Sequence, residues 1–155
     1  MRKSVIRFAF AATAVLFLSG CQTASVDATK TTAIKPVAAD VSAADRKAGK
    51  AQFRNANFGL AEKHFRKAVE LRSDDGESWM GLAAAYDQLG RFDFADRAYD
   101  QLLKVEGRKP QIVNNMGYSQ LLRGNKKKAR QLLAEAKSGL GADPVVEANL
   151  ALLRK

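Results

Sequence analysis

The sequence has little of the chemistry that metal-binding and disulfide-linked proteins require. Its 155 residues include one cysteine and one histidine. One cysteine cannot close an intramolecular disulfide, and the two residues together cannot supply the four ligands of a structural zinc site. With 11 glycines and three prolines, the chain also lacks the composition of a collagen-like or generally disordered protein. Disulfide scaffolds and zinc modules are therefore excluded, and the length predicts about one domain.

Arrangements typical of catalysis are missing as well. His64 has no second imidazole or cysteine to act with, so a surface or boundary histidine is a better interpretation than a ligand or a base. No glycine-rich loop ends in the Lys-Ser/Thr pair that holds a phosphate. Asp74 and Asp75 are predicted to form a solvated turn with a helix-capping carboxylate rather than a cation site. The sequence thus predicts no enzyme, no cofactor and no metal site.

The amino-terminal end of the chain has the pattern of an export signal. Arg2, Lys3 and Arg7 precede an uncharged apolar stretch at 8–18, which is the order of a signal peptide's charged and apolar regions. That stretch is too short to span a bilayer, because a transmembrane helix needs about 20 apolar residues. The segment 1–20 is therefore predicted to be a cleaved signal peptide.

The sequence Leu18-Ser19-Gly20-Cys21 resembles the lipobox of bacterial lipoproteins. The resemblance implies cleavage before Cys21 and attachment of lipid to its thiol. Two or three acyl chains hold a protein on a membrane where one is marginal. Gln22 follows, where an aspartate would resemble the inner-membrane retention signal of some bacteria, so we expect an outer-membrane anchor facing the periplasm. Residues 21–41 lack a persistent apolar period and are predicted to be a flexible tether after the lipidated cysteine.

The remainder of the chain repeats with a fixed period. Small residues recur at equal intervals at Gly49, Ala83, Gly117 and Ala151. At the same interval alanines recur at Ala61, Ala95 and Ala129, and bulky residues follow at Phe65, Tyr99 and Leu133. The register continues without an insertion, which predicts units at 42–75, 76–109 and 110–143 and a final helix at 144–155.

The second unit resembles the tetratricopeptide repeat. It carries that pattern at Trp79, Leu82, Ala83, Tyr86, Gly90, Phe92, Ala95 and Tyr99. The resemblance implies an all-α solenoid of three helix pairs and a C-terminal capping helix. Small residues at the recurring positions let two backbones approach closely, and stacking buries the apolar faces that one pair leaves open. In the last helix Val145, Ala148 and Leu152 are expected along one side, and Gly139 and Gly141 are expected to end the sixth helix early.

The first helices of such repeats line the inner side of the array, which suggests a groove for a partner. The positions that face inward in repeats of this kind are Arg46, Lys50, Arg54, Met80, Ala84, Asp87, Gln88, Asn114, Tyr118, Leu121 and Leu122. This groove is predicted to be basic at its amino-terminal end and apolar with amides and one phenol at the other. It suits a peptide with an acidic and an apolar segment, because Arg and Lys pair with carboxylates while Met and Leu adapt to side chains. The alternative is that the cations are only a solvated face.

A run of cations in the third unit contributes to a formal net charge of +10. It consists of Lys126, Lys127, Lys128 and Arg130. An exported protein meets little nucleic acid, and no aromatic residue interleaves the run. We therefore predict no nucleic-acid binding and favour an anionic envelope surface or an acidic protein as the partner of this run, the alternative being that it only keeps the helix soluble.

A lipobox followed by a short tetratricopeptide array is similar to the pilotin-like lipoproteins of pilus and secretion systems in diderm bacteria. The stretches 114–119, 121–124, 143–144 and 148–152 are similar to the family of the tight-adherence (Flp) pilus. This resemblance implies a protein that helps an outer-membrane secretin ring to be delivered, stabilised or assembled, by binding a segment of the secretin or of a neighbouring assembly protein. The alternative is an envelope adaptor that recruits peptidoglycan enzymes or outer-membrane insertion machinery.

Overall fold

A computed structural model describes residues 40–154, which form seven α-helices without any strand. The helices are α1 (Ala43–Arg54), α2 (Phe58–Leu71), α3 (Gly76–Gln88), α4 (Phe92–Glu106), α5 (Pro110–Leu122), α6 (Lys126–Leu140) and α7 (Pro144–Leu152). The predicted all-α fold of three helix pairs followed by a seventh helix is confirmed. The predicted signal at 1–20, Cys21 and nearly all of the tether lie outside the described residues.

None of the helices within residues 40–154 is both long enough and apolar enough to cross a bilayer.

Local sequence explains where these helices begin. The Asp75 carboxylate caps α3 by accepting the Ser78 N–H at 3.1 Å, and Asp143 caps α7 in the same way. Pro110 and Pro144 occupy the first positions of α5 and α7, where the missing N–H has no helical partner to lose.

The turn within each helix pair contains a residue with positive φ. Gly90 and Gly124 have φ of +68° and +76° in the second and third units. The same position of the first unit is occupied by Ala56, whose φ is +56°. A left-handed backbone is costly for any residue with a Cβ atom, so the turn between α1 and α2 is strained where its two counterparts are relaxed.

Side-chain size explains how the helices pack. Ala61, Ala95 and Ala129 are fully buried, as their recurrence in the repeat predicted. A Cβ atom added to Gly49 would lie 2.8 Å from the ring of Phe65, and one added to Gly117 would lie 2.8 Å from the side chain of Leu133. Small residues on the first helix of a pair therefore leave the space that a bulky residue of the second helix fills.

Contacts between the units give the array its curvature. The first helices approach one another in sequence, α1 with α3, α3 with α5 and α5 with α7. In the described part of the chain the second helices α2 and α4 make no such contact, nor do α4 and α6. The first helices therefore line the inner side of the array, and the second helices stand apart on its outer side.

Two details of the last helices emerge only from the structure. Val145, Ala148 and Leu152 share one side of α7; that side is exposed, and the helix buries Val146 and packs Leu150 against the core. The expectation that Gly139 ends α6 early was wrong, because the helix continues through it to Leu140. The Pro110 ring occupies the space that a side chain at this position would need, so the glycine lets α5 pack closely on α6. Gly141, with φ of +66°, follows as the C-cap.

Candidate functional site

An apolar pocket of about 290 Å³ opens on the inner side between α1 and α3. Its lining consists of Phe53, Phe65, Met80, Gly81 and Ala84, with Lys50, Arg54 and Glu77. Asn115 donates from Nδ2 to the Met80 sulfur at 2.8 Å, which positions the Met80 side chain at the edge of the pocket. A volume near the lower end of the range for ligand pockets suits a few side chains of a partner rather than a whole cofactor.

A more polar cavity of about 450 Å³ adjoins this pocket along α1. The two share Lys50, Arg54 and Glu77, so they form one continuous surface, which we call the inner groove. Lys47 and Arg54 are exposed and pair with no carboxylate among residues 40–154, whereas Lys50 pairs with Glu77. The inner groove therefore combines an apolar pocket with two cations that are available to a partner.

Arg46 has a structural role instead of facing a partner freely. Its guanidinium pairs with Asp40 at 2.6 Å, with Glu77 at 3.0 Å and with the carboxylate of Asp75. Asp75 is 2% exposed and also accepts hydrogen bonds from the hydroxyls of Ser42 and Ser78. Burial raises the pKa of Asp75, but the hydrogen bonds from these serines and from Arg46 outweigh it, so the pKa is lowered overall. Arg46 thus neutralises a buried charge.

Asp87 and Asn114 were predicted to line the groove, and the structure buries both. Asp87 accepts the Tyr99 hydroxyl at 3.0 Å and the Ser119 hydroxyl at 2.6 Å. Burial raises the pKa of Asp87 despite these hydrogen bonds and the nearby Arg123 guanidinium. The Asn114 oxygen accepts from Asn149 of α7 at 3.0 Å. Both side chains therefore connect helices instead of offering polar groups to a partner.

The other predicted residues are spread along the inner side. Lys50, Arg54, Met80 and Ala84 meet at the inner groove. Gln88, Tyr118 and Leu121 are half-buried and Leu122 is exposed, and these four lie outside its lining. Sequence reasoning missed Phe53, Lys47 and Glu77, although Phe53 follows Lys50 by three residues and so belongs to the same helix face.

Acidic and histidine side chains form small pairs in the described region. His64 Nδ1 lies 3.0 Å from Asp45 Oδ1, and Lys67 also pairs with Asp45. Hydrogen bonds from Lys67 and His64 lower the pKa of Asp45. Among residues 40–154 there is no group of three or more His, Cys, Asp or Glu side chains that could hold a metal ion.

Stacked helix pairs with a continuous apolar and basic surface on their inner side define a helical-repeat scaffold for protein interaction. The sequence model of the tetratricopeptide repeat matches residues 46–95 and 85–145. The chain belongs to the tetratricopeptide repeat family. This fold is typical of scaffolds and chaperones rather than of enzymes.

Known proteins with related sequence or fold come from several systems. The cytochrome c-type biogenesis protein CycH of Pseudomonas aeruginosa is 29% identical over 87 residues, which are 56% of this chain and 21% of CycH. The chain thus spans about a fifth of that relative. Pseudomonas aeruginosa PilF has a TM-score of 0.62 at 24% identity, over 72% of this chain and 51% of that structure.

A secretion chaperone has the same fold. The Yersinia enterocolitica type III secretion translocator chaperone SycD has a TM-score of 0.64 at 19% identity, over 74% of this chain and 92% of SycD. A further structure holds SycD in complex with a peptide of the translocator YopD, with a TM-score of 0.60 at 18% identity over 72% of this chain and 91% of that one. Identities this low establish a common fold alone.

Proposed function

We propose that this protein is a lipid-anchored scaffold of the bacterial envelope that binds a segment of a protein partner in its inner groove and assists the assembly of a pilus or secretion system. The observation that carries the proposal is the apolar pocket beside Lys47 and Arg54. Apolar surface next to available positive charge favours a segment in which acidic residues flank apolar ones. The complex of SycD with a YopD peptide supports this role, because it pairs the same fold with a peptide of a translocator.

We propose the tight-adherence pilus as the particular system, because the chain resembles the assembly protein TadD of that pilus. The bound segment then belongs to the secretin or to a neighbouring assembly component. The stretches similar to that family fall on α5 and α7, which the Asn149 to Asn114 hydrogen bond ties together. These helices form the end of the array opposite to the inner groove. The resemblance therefore supports the assignment to this pilus system and says nothing about the residues of the inner groove.

A photo-activated cross-linker at position 84 tests the groove in cells. Ala84 lines the apolar pocket, so we expect the cross-linker there to capture a pilus or secretion assembly protein, identified by mass spectrometry. A cross-linker at Leu60, an exposed position of α2 outside the pocket, should not capture it. Equal capture at both positions would contradict the groove.

Charge reversal at Arg54 provides the matched comparison. Arg54→Glu places a like charge opposite the acidic part of the segment and is expected to lower the cross-linking yield at position 84 about 3- to 10-fold. Lys63→Glu makes the same change of charge on an exposed position of α2 and should leave the yield unaltered. Capture of a peptidoglycan enzyme or of outer-membrane insertion machinery would instead support the adaptor function.

The anchor is a separate proposal, which rests on the lipobox resemblance at Cys21. Cys21→Ala removes the thiol that carries the lipid, so we expect the protein to be absent from the outer-membrane fraction and to incorporate no labelled fatty acid. Gln22→Ala keeps the thiol and should fractionate as the wild type does. Unchanged outer-membrane fractionation of the Cys21 variant would disprove the anchor and leave the inner groove untouched.

A further inference from the structure

A second groove lies on the outer side of the array, where α2 and α4 stand apart and α3 forms the floor between them. It contains a cavity of about 380 Å³. Trp79, Leu82 and Tyr86 of α3 line the floor at a spacing of three and four residues, which keeps them on one helix face. Val69 of α2 and Phe94 of α4 contribute the apolar parts of the walls. We call this surface the outer groove.

The aromatic side chains of the outer groove are held in place and differ in exposure, since Tyr86 is buried, Trp79 is half-buried and Phe94 is open to solvent. Phe94 is 50% exposed, and its ring centroid lies 5.3 Å from that of Tyr86. The Arg97 guanidinium lies 4.5 Å from the centroid of the Phe94 ring. The Trp79 indole N–H donates to the Ser73 carbonyl at 2.8 Å, which fixes the ring as part of the lining. Half of the Phe94 surface therefore remains open to a side chain of a partner.

The next repeat shows that this groove is not a by-product of repeat geometry. The positions of Trp79, Tyr86 and Phe94 are taken one repeat later by Val113, Gln120 and Lys128. The cavity between α4 and α6 is about 160 Å³ and includes the polar side chains of Gln120 and Lys128. Tyr99, Met116 and Leu132 also line this smaller cavity, so the two cavities differ at the positions that carry Tyr86 and Phe94 in one and Gln120 and Lys128 in the other.

Charge gives the outer groove a direction. Arg66 on α2 and Arg97 on α4 line opposite walls. The two helices run in the same direction, and each arginine comes before most of the other lining residues of its helix. Both therefore lie toward the end of the groove that holds Tyr86 and Phe94. Arg97 pairs with no carboxylate among residues 40–154, and Arg66 pairs with Glu62 at 3.2 Å. The other end is of mixed charge, with Glu70, Asp100 and Lys104. One end of the groove therefore offers aromatic surface and positive charge together.

We infer that the outer groove is a second binding site, for a segment of a partner protein that inserts a bulky apolar side chain between α2 and α4 and places a carboxylate against Arg97. Arginine over an aromatic ring can pair with a carboxylate while keeping its contact with the ring. The site shares no lining residue with the inner groove, so the scaffold can hold two partner segments at once.

The single tryptophan of the chain reports on this site. Trp79 lines the outer groove and does not line the inner one. As probes we specify two blocked helical peptides that lack tryptophan and share one pattern of leucines, with glutamate at the polar positions of the first and lysine at those of the second. Titrating the full mature chain with the glutamate peptide is expected to change Trp79 emission saturably, with the lysine peptide binding at least about tenfold more weakly.

Variants separate the outer groove from other surfaces. Phe94→Ser is expected to weaken the glutamate peptide about tenfold and Arg97→Glu about fivefold. Leu60→Ser and Lys63→Glu make the same kinds of change one repeat earlier, at exposed positions of α2, and should leave binding unaltered. Arg54→Glu in the inner groove should also have no effect, so failure of this site and failure of the proposed function are distinguishable.

Several outcomes would overturn the inference. These are an unchanged Trp79 emission with both peptides, equal binding of the two peptides, or equal weakening by the α2 control variants. If Trp79 emission changes with the concentration of the protein in the absence of peptide, the outer groove binds a second copy of the chain, and the inference is also overturned. Circular dichroism of each variant confirms that the helices are retained.

Discussion

Replacing Arg46 by glutamate is expected to lower the free energy of unfolding by about 3 to 5 kcal/mol. The guanidinium of Arg46 pairs with the carboxylate of Asp75, which is 2% exposed and cannot regain its hydration without unfolding. The substitution removes the closer of the two guanidinium groups at that buried charge, leaves Arg72 at 3.8 Å as the other, and adds a carboxylate beside Asp40 and Glu77 as well. Urea unfolding followed by helical circular dichroism measures the loss.

Arg54→Glu is the matched control for this prediction. Arg54 lies on the same face of α1, two helical turns further along, and is exposed without a carboxylate partner in the described part of the chain. Its reversal is expected to change the free energy of unfolding by less than about 1 kcal/mol. An equal loss in both variants would show that Arg46 acts only as a surface charge. Loss of partner binding in an Arg46 variant therefore cannot by itself be assigned to the groove, whereas the same loss in Arg54→Glu can.

Replacing Phe65 by alanine is expected to cost about 3 to 5 kcal/mol of stability. The Phe65 ring is 2% exposed and fills the space opposite two glycines, Gly49 of α1 and Gly81 of α3. Because glycine has no side chain that could move into the vacated volume, the cavity remains open and the full cost of an unfilled core site is expected. The same urea titration provides the measurement.

A double variant tests whether the glycines are the reason. Gly81→Leu alone is expected to destabilise the protein, because its Cβ atom would overlap the Phe65 ring. In the Phe65→Ala background the added leucine fills the cavity, so part of the lost stability should return. Gly59→Ala, at a glycine in the first turn of α2 with nothing within 4 Å of an added Cβ atom in the described structure, should gain less than about 1 kcal/mol. If the losses of stability caused by Gly81→Leu and Phe65→Ala simply add in the double variant, this account of the packing is contradicted.

The fold was predictable because it depends on side-chain size, which repeats in the sequence with a fixed period. Ala61, Ala95 and Ala129 could be recognised without any structure, since a helix crossing needs a small residue at each recurrence. The same period placed Lys50, Arg54 and Met80 on the inner side. The position of Phe94 in the repeat could also be assigned from the sequence. Only the comparison with Lys128, which takes the same position one repeat later, shows that an aromatic residue there is particular to the second unit.

Burial and pairing of individual polar residues were not predictable in the same way. The Arg46 to Asp75 pair joins residues 29 positions apart, and the spacing along α1 gave no sign of it. Asp87 falls at an inward-facing position, yet Tyr99 and Ser119 draw its carboxylate beneath the surface. On α7 valines at both 145 and 146 fit a helical period, and only contact with α5 and α6 selects Val146 for burial.

The strained turn at Ala56 affects how the inner groove responds to a guest. A left-handed alanine costs about 1 kcal/mol relative to glycine, so α1 is joined to α2 through the least relaxed of the three equivalent turns. One wall of the apolar pocket belongs to α1, and the other belongs to α3 in the middle of the array. We therefore expect a bulky side chain of a partner to widen the pocket by displacing α1. The α3 wall, which has a helix pair on either side, should keep its shape and determine which side chains fit.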